Sequence, residues 1–594
     1  MEANLQTIDY AIIGTYMVFA LGVGFVLSRK ASESSENYFL GGRNMPWWLI
    51  GISMIATSYA SDTPLAITEM VREHGLQRIW WFLSGCLVLI TGTFLFARLW
   101  RRAEITTDVE FYELRYSGRS AAFLRGFQAV WKGVVRNFVT MAFVTLAMTS
   151  IITTLTDVNR WVAITVCISV ALVYATSSGF YGVVVTDFVQ FFIAIGGMVY
   201  LAVVAWTRVG GFDVISERIT QMPGYGEQTL KILPDFGHFN LDMLALVIFV
   251  TLLWWNDAGD YTMQRISSCK NEKHSILATL FFAVFQTSRV WIWAGVALVS
   301  IVLFPDLTGA PMGDTQAYPM VMNMYLAPGM KGVLVTAFLA AYMSTIDTHL
   351  NWGASYIMTD IYRRFVKKEA SEKHYMRVTR IVVVLLMLGA AALVPLLTSV
   401  TAAWEFLALL SAGSGLIVFF RWFWWRINAF TEIAALSAGA LTAAINLTIT
   451  ALAPDWELFG MPWATMRFEI KLAMFTGVVI PVSLLVTYLT PPVDPERLES
   501  FYRRVRPGGF WGAVSKEARA LPGKALGVRT LADFVGGVML TFGISLGIGY
   551  TLLQRYAVGA GCFLAAVAGG IWVYYWFMKE AAELRRYVAL KGDS

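Results

Sequence analysis

Charge is scarce in this chain. Asp, Glu, Lys and Arg make up 14% of its 594 residues, where an ordinary soluble protein carries about 25%. Most of the outer surface must therefore face something other than water. Histidine and cysteine are also few, five and four respectively. Cys86, Cys167, Cys269 and Cys562 lie in or beside apolar runs, with neither metal-ligand spacing nor the pattern of a disulfide framework. With no nucleophile–base pair and no His/Cys cluster, an enzyme is not expected. The opening MEANLQTIDY lacks a basic leader and a small-residue cleavage site, so the first apolar segment is expected to remain as a helix. No second soluble domain and no low-complexity tail stand out. The net charge of +6 is modest, and no nucleic-acid partner and no obligatory protein partner are expected.

What the chain has in abundance is apolar sequence, 57% of all residues. A membrane-crossing helix needs about 20 such residues. Fifteen runs qualify, at 8–28, 45–75, 78–98, 122–154, 160–178, 181–205, 242–264, 277–304, 332–362, 377–398, 402–422, 430–453, 468–490, 533–553 and 557–578. Basic residues follow the odd-numbered runs: Arg29 and Lys30, Arg98 and Arg101, Arg265 and Lys270, Arg363 and Arg364, Arg421 and Arg426, Arg503 and Arg504. Positive charge stays on the cytoplasmic side, which puts the N-terminus outside and the C-terminus inside. The expected fold class is an all-α polytopic membrane protein, multi-pass, with lipid as its surroundings. Its expected parts are an extra helix and linker (1–40), a first repeat (41–205), an external loop (206–241), a second repeat (242–425), two accessory helices (426–490), a cytoplasmic loop (491–530) and two closing helices with a tail (531–594).

Polar groups inside such runs cost at least about 2.5 kcal/mol per charge, so each needs a reason. The second run is too long for one crossing and reads Ala56-Thr57-Ser58-Tyr59-Ala60-Ser61-Asp62-Thr63-Pro64 in its middle. Small and hydroxyl residues ending in proline mark a helix interrupted near mid-depth, with freed carbonyls suited to a hard monovalent cation. The seventh run breaks in the same way at Asn256-Asp257-Ala258-Gly259-Asp260. Two interrupted helices, each heading one half of the chain, point to an inverted-repeat transporter. The competing reading makes Asp257 and Asp260 the plain end of a helix, paired with Arg265. In the ninth run Ala341, Ser344, Thr345 and Thr348 share one helical face, with Asp347 bordering it. His349 reads as a packing or interhelical hydrogen-bond residue. Asp187 in the sixth run has no basic neighbour in its own helix. Arg136 and Arg289 are both read as able to neutralise Asp187, Asp257 or Asp347, or to bind a substrate carboxylate.

Four stretches together resemble the sodium:solute symporter family: ENYFLGGRNMPWW (36–48), GFYGVVVTDFVQ (179–190), YxxQR (261–265) and the run from Ser344-Thr345 to Thr359-Asp360-Ile361-Tyr362. The resemblance spans 36–425, and FFRWFWWRINAFTEI (419–433) looks like an uncharacterised bacterial branch. It implies a LeuT-like core of two inverted five-helix repeats, alternating access, a bacterial inner membrane and Na⁺ as coupling ion, one or two per cycle. Matching the motifs implies a first sodium site at Ala56, Tyr59, Ala341, Ser344 and Thr345. A second would use Asp187, Ser344, Asp347 and Thr348. Asp347 replaces the small or hydroxyl residue usual there, and Ser178-Gly179 stands where the family has a double glycine. The family's sugar-binding residues are not reproduced.

The sequence thus reads as a sodium-coupled symporter of a small polar solute, with a sugar or sugar derivative favoured. Candidate solute residues are Thr63, Trp81, Arg136, Asn256, Asp257, Asp260 and Arg289, and Tyr261 is the candidate inner gate. Symport of an organic acid or amino acid, by sodium or proton, is the alternative. A solute-sensing receptor or a channel is the alternative of another class.

Overall fold

The computed structural model describes residues 5–31, 40–156, 158–310, 312–397, 399–521 and 525–592. The chain is mostly helical, and a two-stranded hairpin (Glu457–Leu458 with Met461–Pro462) is the one sheet among the described residues. The main helices are α1 (Thr7–Ala31), α2 (Trp47–Ser58), α3 (Asp62–His74), α4 (Leu76–Ala103), α5 (Gly118–Leu155), α6 (Arg160–Val209), α7 (Leu241–Leu252), α8 (Asp260–Ser268), α9 (Glu272–Leu303), α10 (Met330–Val366) and α11 (Glu372–Leu396). They are followed by α12 (Val400–Leu410), α13 (Ser414–Phe420), α14 (Ala429–Leu452), α15 (Phe468–Leu489), α16 (Pro495–Val505), α17 (Val528–Leu552) and α18 (Tyr556–Gly592).

Among the described residues ten helices are long and apolar enough to cross a membrane, or eleven if the bent pair α12–α13 counts as one. Two shorter apolar helices, Trp47–Ser58 and Leu241–Leu252, fall below that length, and they are the leading halves of the interrupted helices. The expected pair of runs at 160–178 and 181–205 is instead one unbroken helix, α6, of 50 residues. At 1.5 Å per residue it is about 75 Å long, more than twice the thickness of a hydrocarbon core. No proline falls between its two apolar runs, so the helical hydrogen bonding continues across Ser178-Gly179.

Helix starts are marked by side chains that accept backbone N–H groups: Asn240 from Met243, Asn271 from His274, Ser371 from His374, Ser399 from Ala402 and Asn428 from Thr431. Each such cap stabilises by about 1 kcal/mol. The first interruption falls at Tyr59–Ser61, where the Tyr59 N–H turns back to Ala56 O. Pro64 lies just beyond, in the first turn of α3, where its missing N–H leaves no helical bond unmade. The second interruption holds Ala258 and Asp260 at φ +52° and +59°, a left-handed conformation that L residues rarely adopt. α12 and α13 meet at 56° around Gly413, at φ +71°, where a Cβ would come within 2.9 Å of Val479.

α10 is the axis of the bundle. Of its most apolar stretch, 94% is buried inside the protein, as expected of a helix packed on every side. Its first turn is held from α1: Asp9 Oδ1 accepts the N–H groups of Gly329 and Gly332 at 2.7 and 2.6 Å. Asp9 is fully buried.

Candidate ion and solute sites

Two hydroxyl ladders face each other at the first interruption. Ser53 and Thr57 lie one turn apart on α2, opposite Ala341, Ser344, Thr345 and Thr348 of α10. Thr345 Oγ1 is 2.9 Å from both Thr57 O and Ala341 O, and can donate to either. The Thr57 and Thr348 hydroxyls are 3.2 Å apart. The end of α2 therefore touches the Ser344-Thr345 turn directly. Ala56 and Tyr59 are both buried there, with Ala56 O occupied by the Tyr59 N–H at 3.1 Å.

Asp187 enters this cluster from α6. Ser53 Oγ donates to its Oδ2 at 2.6 Å and Ser344 Oγ donates to its Oδ1. The nearby cation is Arg265, on α8. Its Nε donates to Ser53 Oγ at 3.1 Å and its Nη2 to Thr57 Oγ1 and Thr348 Oγ1 at 2.7 and 2.8 Å. That Nη2 is 3.9 Å from Asp187 Oδ2. Asp347 is buried on the same stretch of α10, and its field also reaches Arg265.

Arg265 therefore does not pair with Asp257 or Asp260, as the plain-helix reading had it. The interruption turns α8 so that its face of residues 261 and 265 looks toward α2 and α10. Arg136 and Arg289 do not meet the charges offered to them either. Arg136 bonds Asp260 at 2.6 Å. Arg289 donates to Ile55 O, Ser58 O and the Ser58 hydroxyl, with the rings of Tyr59 and Trp293 at 4.6 and 5.1 Å. It caps the broken end of α2. His349 is the interhelical partner expected of it, 2.6 Å from Asn137 Oδ1.

The protein also holds a cavity of about 370 Å³, lined by other residues than this cluster. Trp81, Arg136, Asn256, Asp257 and Asp260 line it together, while Thr63 and Arg289 are not among its lining residues. Lys132, one turn before Arg136, also faces it and bonds Asp108 and Asp260 at 2.6 and 2.9 Å. Asp257 is 1% exposed, its Oδ2 accepting from Arg421 at 2.6 Å and from the Trp422 indole N–H at 2.8 Å. Trp81 stacks on Phe468 with centroids 4.8 Å apart. Tyr261 follows the cavity-lining Asp260 in sequence, and its ring is 5.6 Å from the Arg265 guanidinium and 5.9 Å from His349.

The sequence reading missed Ser53 and Thr57 as partners of the α10 ladder, although their i, i+4 spacing gives them a shared face. It also missed Lys132, which the same one-turn spacing from Arg136 places beside the cavity. Nothing local signals Arg421 as the partner of Asp257, 164 residues away.

Two interrupted helices around a polar interior, enclosed by apolar helices, define a membrane transporter rather than a soluble protein. The family model of the "Sodium:solute symporter family" matches residues 38–441, and the chain belongs to that family. It is 26% identical over 528 residues to a sodium/glucose cotransporter of Vibrio parahaemolyticus, covering 84% of this chain and 93% of the relative. To a sodium/mannose cotransporter of Bos taurus it is 23% identical, covering 82% and 87%. To a sodium/myo-inositol cotransporter of Bos taurus it is 22% identical, covering 87% and 77%. Among solved structures, a substrate-bound outward-open Na⁺-coupled sialic acid symporter superposes with a TM-score of 0.66 at 19% identity, covering 83% of this chain and all of the other. That likeness is one of fold. The chain is thus a multi-pass sodium symporter by family.

Proposed function

We propose that the protein imports a sugar or sugar derivative into a bacterial cell across the inner membrane, driven by one or two Na⁺. The observation that carries this reading is the direct meeting of the broken end of α2 with the Ser344-Thr345 turn, beside buried Asp187. Carbonyl and hydroxyl oxygens at a helix interruption, with the carboxylate of Asp187 bonded to Ser344 beside them, are donors for a hard monovalent cation. In this reading Ala56, Tyr59, Ala341, Ser344 and Thr345 hold the first ion. Asp187, Ser344, Asp347 and Thr348 hold the second. In this reading, with the N-terminus outside, 45–205 and 242–422 are the two inverted repeats. The cavity offers the tools for a polyol: aromatic faces at Trp81 and Trp255, and hydrogen-bonding groups at Asn256, Asp260 and Lys132. Tyr261 is the inner gate. The glucose, mannose and inositol relatives support a sugar.

A second reading, an organic acid, is favoured by one observation: Lys132 and Arg136 both face the cavity. Inverted vesicles do not serve here, so right-side-out vesicles or proteoliposomes are loaded and offered labelled sugars, inositols and organic acids, with and without a sodium gradient. Sodium-driven accumulation of a neutral sugar is expected. Accumulation of acids alone would replace that assignment, and accumulation indifferent to Na⁺ would defeat the symport reading. In Asp187→Asn, sodium dependence is expected to weaken more than folding, and full sodium-driven uptake would remove Asp187 from the ion path. One charge moved across 100 mV is worth about 2.3 kcal/mol, so charge moved per solute, read as current, counts the ions.

A further inference from the structure

Arg265 occupies the ground that a cation has to cross. Its guanidinium holds the hydroxyls of Ser53, Thr57 and Thr348, and both it and Asp187 are cut off from solvent, at 1% and 0% side-chain exposure. Like charges repel strongly in a low-dielectric interior, so a Na⁺ arriving at Asp187 and this guanidinium compete for one carboxylate. Arg265 also rides on α8, the second half of the second interrupted helix. Tyr261 lies one turn earlier on the same helix, under the guanidinium. Asp260, at the first position of α8, lines the solute cavity and pairs with Arg136.

We propose that the Arg265 guanidinium is a built-in counter-ion of Asp187 that transported Na⁺ displaces, so that ion arrival moves α8 and with it the solute cavity. This rests on the sodium-symport reading above. A ligand with equal affinity for both conformations shifts neither. Displacement supplies the required difference: with the guanidinium on its three hydroxyls the pocket is in its ion-free arrangement, and with Na⁺ at Asp187 the guanidinium and α8 are pushed away. Arg265 is then a positioning residue that makes the ion's presence felt at the cavity.

The test uses the purified full-length protein and ²²Na⁺ binding without solute. In Arg265→Gln the resident cation is gone, and the half-saturating sodium concentration is expected to fall tenfold or more. Arg265→Lys keeps the charge and is expected to stay within about threefold of the parent. Thr57→Val removes one acceptor and is expected to lower half-saturation two- to fivefold. In a Tyr261→Cys background, sodium is expected to change the rate of maleimide labelling, and Arg265→Gln to abolish that change. An unchanged or raised half-saturating concentration in folded Arg265→Gln overturns the proposal. If that variant does not fold, Thr57→Val decides by the same criterion. A parent that binds no ²²Na⁺ refutes the symport reading itself, whereas a parent that binds it alongside unmoved variants refutes only the role of Arg265.

Discussion

Replacing Asp257 with Asn separates a structural carboxylate from a solute ligand, because this side chain lines the cavity and is also locked into a buried ion pair. At 2.6 Å and an effective dielectric of 20, the attraction between Asp257 and Arg421 is about 6 kcal/mol before desolvation is counted. Breaking a buried pair by removing one partner costs about 3–5 kcal/mol net. Glu432 stays 3.2 Å from the same guanidinium and keeps it compensated, which places the expected loss at the lower edge. The Trp422 N–H would keep a neutral acceptor in place of a charged one, a further loss of about 1 kcal/mol. The total, about 3–4 kcal/mol, corresponds to more than a hundredfold in the folded fraction. The assay pairs thermal unfolding in detergent with solute half-saturation in proteoliposomes below the unfolding temperature. A clear fall in thermal stability with half-saturation within twofold of the parent is expected. Unchanged stability with a tenfold rise in half-saturation would refute the reasoning and make Asp257 a solute ligand.

Gly353→Ala adds a methyl 2.5 Å from the Asn137 amide and 2.8 Å from Gly133 O. It is expected to cost about 1–3 kcal/mol through overpacking, read as a lower unfolding temperature. Glu499 accepts the Ser515 hydroxyl and N–H at 2.7 and 3.0 Å, bonds that hold its carboxyl below the usual range. A depressed acid stabilises the fold above its unfolded pKa and loses that effect as pH falls through the folded one. Proteolysis of the segment around 515 is therefore expected to be flat from about pH 8 to 5 and to rise below about pH 4.

Much of the architecture was legible because apolar length and broken helices write themselves locally. The stretches from Ala56 to Pro64 and from Asn256 to Asp260 each announced a helix break, and the run from Ala341 to Thr348 a polar face, within a dozen residues. Partnership was not legible in the same way. Asp187 and Arg265 belong to helices far apart in the sequence, and only the turn taken after Gly259 decides that Arg265 faces α2 rather than Asp257. Arg289 likewise reads as a stray charge until the break at Tyr59 leaves carbonyls for it to cap. The continuity of α6 through Ser178-Gly179 was hidden for the opposite reason. Serine and glycine look like a stop in a hydropathy trace, yet neither forbids the helical bond that proline would.

The grip of Asp9 on Gly329 and Gly332 has a practical corollary. Although α1 sits at the perimeter, it is fastened to the start of the most enclosed helix in the molecule. Any tilt of that axis is therefore carried to the rim. Val18, 75% exposed on α1, is a position where a spin label or fluorophore could follow the rocking of the interior without entering it.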